Sequence, residues 1–110
     1  MARELDPLSA DDAARDGAVL LDVREPVEFE TGHAPNARLI PLGDLPARAG
    51  ELDPAHAIVC VCRSGHRSAH AADALTAAGF DAVNLAGGML AWAAEGLPVV
   101  TEQGGAGAVL

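Results

Sequence analysis

Ala57-Ile58-Val59-Cys60-Val61-Cys62-Arg63-Ser64-Gly65-His66-Arg67-Ser68, followed by the alanine-rich segment Ala69 to Ala78, is the stretch on which the fold turns. Its first five residues are an unbroken apolar run of strand length, as expected of a strand covered on both faces. The alanine-rich segment has helical composition, with Ser68 as a cap and Gly79 as a stop. A thiol therefore stands where a buried strand ends and a helix begins, with Arg63 and Arg67 beside it. Unpaired N–H groups at a helix N-terminus carry the positive end of the helix dipole and stabilise an anion. A thiolate is such an anion, and a positive setting lowers a cysteine pKa from about 8.5 toward neutrality. The arrangement reads as a nucleophile.

Working outward, strands and short helices alternate. Ser9-Ala10-Asp11-Asp12 looks like a capped helix start ending near Gly17, and Ala18 to Val23 is a second unbroken apolar run. Glu25 to Glu30 fits a short helix with Pro26 in its first turn and Gly32 at its end. Ala37 to Ile40 reads as a short strand, and Asp44 to Gly50 again shows cap, early proline and terminal glycine. Beyond the central helix, Asp81 to Leu85 is a strand, and Gly87-Gly88 leads into a helix over Met89 to Glu95. Unbroken apolar strands alternating with helices predict an α/β fold: three layers, α/β/α, around a mostly parallel sheet of four to five strands. Sites in such sheets lie beyond the carboxyl ends of the strands. Cys62 holds that position for the Ala57–Val61 strand, and Asp22 to Arg24 for the Ala18–Val23 strand, so the two groups are expected to meet. Residues 1–100 form one domain on this reading, and the Gly/Ala-rich residues 101–110 a flexible tail.

Composition limits what such a site can serve. The chain has 110 residues, a net charge of −9, no lysine and seven arginines, two of them between Cys62 and Arg67. An acidic chain lacks the cationic footprint that nucleic acid or an anionic membrane surface requires. Concentrating scarce cations beside a cysteine points instead to a small anion. The two cysteines, Cys60 and Cys62, would face the same side of a strand about 6.6 Å apart, a poor geometry for a disulfide. Cys60 reads as a buried thiol. A structural metal site needs four ligands at recognisable spacing, so no metal is expected, and no cofactor is called for. No leader is visible in Met1 to Pro7 and no apolar run approaches a membrane span. The protein is expected to be cytoplasmic, with its thiols reduced.

The order Leu21-Asp22-Val23-Arg24-Glu25, Glu28-Phe29, Gly32-His33-Ala34-Pro35-Asn36-Ala37, Cys62 to Ser68, Asn84-Leu85-Ala86-Gly87-Gly88 and Trp92 resembles a single-domain rhodanese over about residues 5 to 100. The sequence departs from the family's habit at Ala34 and Asn36, where Ile and Gly are commoner. The resemblance implies a sulfurtransferase in which Cys62 takes a sulfane sulfur from thiosulfate or a similar donor as a persulfide. A thiol, which could belong to a protein, or cyanide then removes it. Arg63, Ser64, Gly65, His66, Arg67 and Ser68 would form the substrate-binding loop, with loop amides around the sulfur and Arg63 and Arg67 on the sulfonate of thiosulfate. Asp22 and Arg24 are expected to support the loop, Arg24 by pairing with Glu25 or Glu28.

Two rival functions share the shape. One is a non-enzymatic rhodanese-like module that binds a partner or senses redox state, against which the cysteine and its two arginines weigh. The other is a cysteine-dependent phosphatase or arsenate reductase. Those enzymes use a Cys-x5-Arg loop, one residue longer than Cys62 to Arg67, and the smaller amide ring suits a single sulfur atom. His66 reads equally well as a loop bystander. His33 is expected to fix a turn and His70 to lie on the helix surface.

Overall fold

The apolar run that the sequence marks as a buried strand lies at the centre of a five-stranded parallel sheet. The computed structural model describes residues 2–110. In chain order the elements are β1 (Glu4–Leu5), α1 (Pro7–Arg15), β2 (Val19–Asp22), α2 (Pro26–Thr31), β3 (Arg38–Leu39), α3 (Leu45–Arg48), β4 (Ile58–Val61), α4 (His66–Ala77), β5 (Ala82–Leu85) and α5 (Gly88–Ala94). Strand order across the sheet is β1-β5-β4-β2-β3, every neighbouring pair parallel. Register sets Asp22 opposite Val61. The chain just past β2 and the chain just past β4 therefore leave the sheet side by side.

Alternate residues of the central strands feed two cores. Leu21, Ile58 and Cys60 pack with Leu45, Ala71, Ala72 and Leu75 on the α3–α4 face. Leu20, Val59 and Val61 pack with Ala10, Met89 and Trp92 on the α1–α5 face. With both faces covered, Val19–Leu21 and Ile58–Val61 are apolar throughout, the property that made them legible. Each fully buried large aliphatic side chain contributes about 1.5–3 kcal/mol, so the two layers hold the sheet edge on which the cysteine loop stands.

Several boundaries differ from expectation, each for a local reason. Helix α1 is capped by Asp6, whose carboxylate accepts the Ser9 N–H at 2.7 Å, with Pro7 in the first turn. Asp-Pro supplies both a cap and a fixed φ, and so displaces Ser9 from that role. Helix α4 starts at His66 after Gly65, because the Ser68 hydroxyl is turned inward instead of capping. Strand β1 is too short to show periodicity and is defined by its pairing with β5. Asn36, where the family prefers glycine, adopts φ 63°, which asparagine tolerates better than most residues. Residues read as a flexible tail turn back over the end of α2. Ala108 N–H donates to Thr31 O and Gly107 N–H to Val99 O, while His33 and Val100 exchange backbone bonds at 2.8 and 2.9 Å. A side chain at Gly32 would meet the Ala108 carbonyl at 2.5 Å, so this close approach requires glycine.

No helix among the described residues is long and apolar enough to cross a membrane.

Candidate active site

The end of β4 delivers Cys62 to the carboxyl edge of the sheet, where the chain must turn within four residues to begin α4. Gly65 makes that turn at φ +104°, in the left-handed region that glycine occupies without a Cβ clash. The turn aims donors at one atom. Cys62 Sγ accepts the Gly65 N–H at 3.1 Å, the Ser68 N–H at 3.4 Å and the Ser68 hydroxyl at 3.2 Å. The thiol itself is buried. Burial pushes its pKa up, but hydrogen bonds from the Ser68 hydroxyl and the Ser68, Gly65 and Ser64 amides outweigh that, and the net shift is downward. Cys60 shows the reverse. Burial, followed by the proximity of Cys62, pushes it up to about 12, so it remains a neutral core thiol.

Asn84, a buried polar residue on β5, braces this loop. Its amide nitrogen donates to Gly65 O at 3.0 Å and to a Glu4 carboxylate oxygen at 2.9 Å. Both partners are acceptors, so the Asn84 carbonyl must face Ser68, whose Oγ lies 2.5 Å away. The Ser68 hydroxyl has one proton for two acceptors, Asn84 Oδ1 and Cys62 Sγ. A protonated Cys62 can donate to Oγ while the hydroxyl serves Asn84; a thiolate draws the hydroxyl toward sulfur. Helix α5 braces the loop from its other side, with the Met89 and Leu90 N–H groups donating to Cys62 O and Arg63 O at 2.8 and 3.0 Å. The backbone contact is close: a Cβ on Gly88 would fall 2.5 Å from the Arg63 and Cys62 carbonyl oxygens.

Asp22 ends β2 opposite Val61, with Arg24 two residues on, and their pairing differs from expectation. Arg24 is wholly buried and binds Asp22 itself, Nε to Oδ1 at 3.0 Å and Nη2 to Oδ2 at 2.8 Å, and donates to Gly32 O at 2.8 Å. It takes neither Glu25 nor Glu28 as its partner, because a buried cation needs the equally buried carboxylate two residues away. Glu28 instead holds Arg67 with two bonds, at 2.6 and 2.9 Å. Those bonds draw the Glu28 carboxyl down to about 2 against the upward push of burial, and raise Arg67. Arg63 points outward, its Nε donating to the Leu110 carbonyl, and Ser64 and His66 are exposed. His33 fixes a turn, its Nδ1 2.7 Å from Phe29 O and its ring stacked on Phe29; His70 lies on the exposed face of α4.

Of the residues singled out in the sequence, Gly65 and Ser68 thus converge on the Cys62 sulfur, while Asp22 and Arg24 pair with each other at the end of the neighbouring strand and Arg67 pairs with Glu28. Sequence reasoning missed Asn84, Glu4 and the Glu28–Arg67 clamp. An asparagine within a strand of apolar residues was the available signal for the first, since buried polar groups have partners. Nothing local marked Glu4.

A parallel α/β sheet whose central strand runs into a ring of amides around a cysteine defines a class of domain built to hold a reactive sulfur. The chain belongs to the rhodanese-like domain family, whose model matches residues 4–95. It is 38% identical over 107 residues to a protein named sulfurtransferase from Allochromatium vinosum, covering 94% of this chain and 100% of that one. To the putative sulfurtransferase YtwF of Bacillus subtilis it is 43% identical over 79 residues, covering 72% of this chain and 77% of the relative. The crystal structure of a rhodanese-related protein from Thermoplasma volcanium superposes with TM-score 0.87 at 32% identity, covering 91% of this chain and 99% of that one. Family and relatives together support sulfur transfer as the general chemistry of this chain.

Proposed function

We propose that Cys62 carries the transferred sulfur as a persulfide. As thiolate it attacks the outer sulfur of thiosulfate or a similar sulfane donor. A new S–S bond forms, the bond to the sulfonate sulfur breaks, and its electron pair leaves with sulfite. A thiol acceptor, which could belong to a protein, or cyanide then attacks the outer sulfur and releases the Cys62 thiolate. This is covalent catalysis in two displacement steps. The observation that carries the reading is the convergence of two amides and one hydroxyl on Cys62 Sγ. Donors fixed in advance around an anionic sulfur stabilise both thiolate and persulfide without reorganising during the reaction.

Arg63 and Arg67 are the cations available at the mouth, where the sulfonate of the donor and the departing sulfite would stand, with Ser64 and His66 at its rim and Glu28 already paired with Arg67. Asp22 and Arg24 act at one remove by fixing the strand end beside the loop. A reducing cytoplasm suits a thiol that must return to its free state after each cycle.

Intact mass spectrometry tests this directly. Incubation with thiosulfate should add one sulfur, about 32 Da, to wild-type protein as a persulfide, and nothing to Cys62→Ala. A wild-type protein that gains no mass from thiosulfate or any other sulfane donor would overturn the reading in favour of a binding module. Hydrolysis of an aryl phosphate, lost in Cys62→Ser, would overturn it in favour of a phosphatase.

A further inference from the structure

The loop arginine that the sequence assigns to a sulfonate already has a carboxylate. Glu28 grips Arg67 with both oxygens, at 2.6 and 2.9 Å, in the bidentate geometry a sulfonate would otherwise use. The carboxylate is held for that purpose. It lies in the first turn of α2, its side chain is 16% exposed, and its Oε1 also accepts the Glu25 N–H at 3.0 Å. One donor of Arg63 is likewise engaged, by the Leu110 carbonyl. With Cys62 ionised, Arg67 faces two negative charges, the thiolate and Glu28, and the chain around it carries a net charge of −9.

We propose that Glu28 is a specificity-determining residue that, by occupying Arg67 and cancelling its charge, turns the site away from dianionic donors and toward persulfides of low charge. This rests on the sulfur-transfer reading and narrows its substrate class. With an alkyl persulfide, the Cys62 thiolate attacks the outer sulfur, a new S–S bond forms, and the bond to the inner sulfur breaks. The departing thiolate takes the electron pair, and no oxidant or reductant is needed. That leaving group carries one charge where sulfite carries two, so it has less need of a free guanidinium. Thiosulfate must share Arg67 with Glu28 or displace it.

Glu28→Gln keeps the shape and an acceptor oxygen while removing the charge. The experiment follows persulfide formation by intact mass with thiosulfate and with 2-hydroxyethyl persulfide, a donor that carries at most one negative charge. In Glu28→Gln the second-order rate constant with thiosulfate should rise about tenfold, as for one unit charge removed a few Å from a dianion at a half-exposed site. The rate with the persulfide should rise by about threefold at most, as for half the charge, and the thiosulfate gain should shrink in about 0.5 M KCl, where the Debye length is only a few Å. Glu28→Asp, which retains the charge, should keep the wild-type preference between donors. Equal changes with both donors, or no change with thiosulfate, would overturn the proposal. A second readout needs no sulfur transfer: thiosulfate binding to Cys62→Ser by titration calorimetry should tighten about tenfold when Glu28→Gln is added. Unchanged affinity there also overturns the proposal. Tightened binding in a protein that forms no persulfide with any donor would sink the sulfur-transfer reading and leave the charge role standing.

Discussion

At Cys62 two forces of opposite sign meet, and hydrogen bonding prevails over desolvation. The Ser68 hydroxyl is the largest favourable contributor, ahead of the loop amides. A hydrogen bond to a charged group contributes about 1.5–3 kcal/mol, and each pKa unit corresponds to about 1.4 kcal/mol. Ser68→Ala should therefore raise the Cys62 pKa, shifting the midpoint of its pH–alkylation profile upward. Below that midpoint the iodoacetamide rate should fall with the thiolate fraction; an unmoved midpoint would show that the amides suffice. Cys62 was legible because its setting is local: strand, thiol, arginines and helix follow one another in the chain. The inward turn of Ser68 was not. A serine before an alanine-rich helix is an ordinary cap by sequence, and only the approach of Asn84 from a different strand shows why its hydroxyl points elsewhere.

Between elements, the loop depends on α5 as much as on its own helix. Gly88 at φ +61° lets the first turn of α5 lie against the carbonyls of Cys62 and Arg63. In Gly88→Ala a Cβ at 2.5 Å from those atoms adds to the cost of a left-handed alanine, and the site can relax only by moving the loop. We expect a loss of about 2–3 kcal/mol in urea denaturation, as for a strained backbone position of this kind, together with a thiol pKa closer to that of a free cysteine. Gly50→Ala, where the added Cβ meets nothing within 4 Å, is the control and should cost little. Glycine and proline punctuation made most of the helices legible, since Pro26, Pro46, Gly79 and Gly96 all stand at or near element ends. What punctuation does not encode is purpose. Gly87-Gly88 announces a close approach without naming what approaches, and a strand of two residues such as β1 has no pattern at all. The Asp22–Arg24 pair shows the same limit, because choosing among three nearby carboxylates required knowing which one was buried.

For the whole molecule, the net charge of −9 surrounds a mouth whose own charges cancel, so a dianion meets repulsion as it arrives. The second-order rate constant with thiosulfate should rise as KCl increases from about 10 to about 150 mM, where the Debye length shortens to about 8 Å, while that with 2-hydroxyethyl persulfide, which carries at most one charge, rises less. A rate that falls with salt would mean that the loop arginines dominate the approach. The layered architecture was legible from the alternation of apolar runs and helices, but sheet order was not, since the runs do not say which strands are neighbours. That order has a temporal side. The edge strand β1 pairs with β5, and the loop is braced by Asn84 and by the amides of Met89 and Leu90, all later in the chain than the cysteine they serve. During synthesis the thiol emerges from the ribosome well before its supports. Until residue 90 is free to fold, the nascent polypeptide holds an unshielded sulfur of unremarkable acidity, and β1 waits for β5 before it is seated.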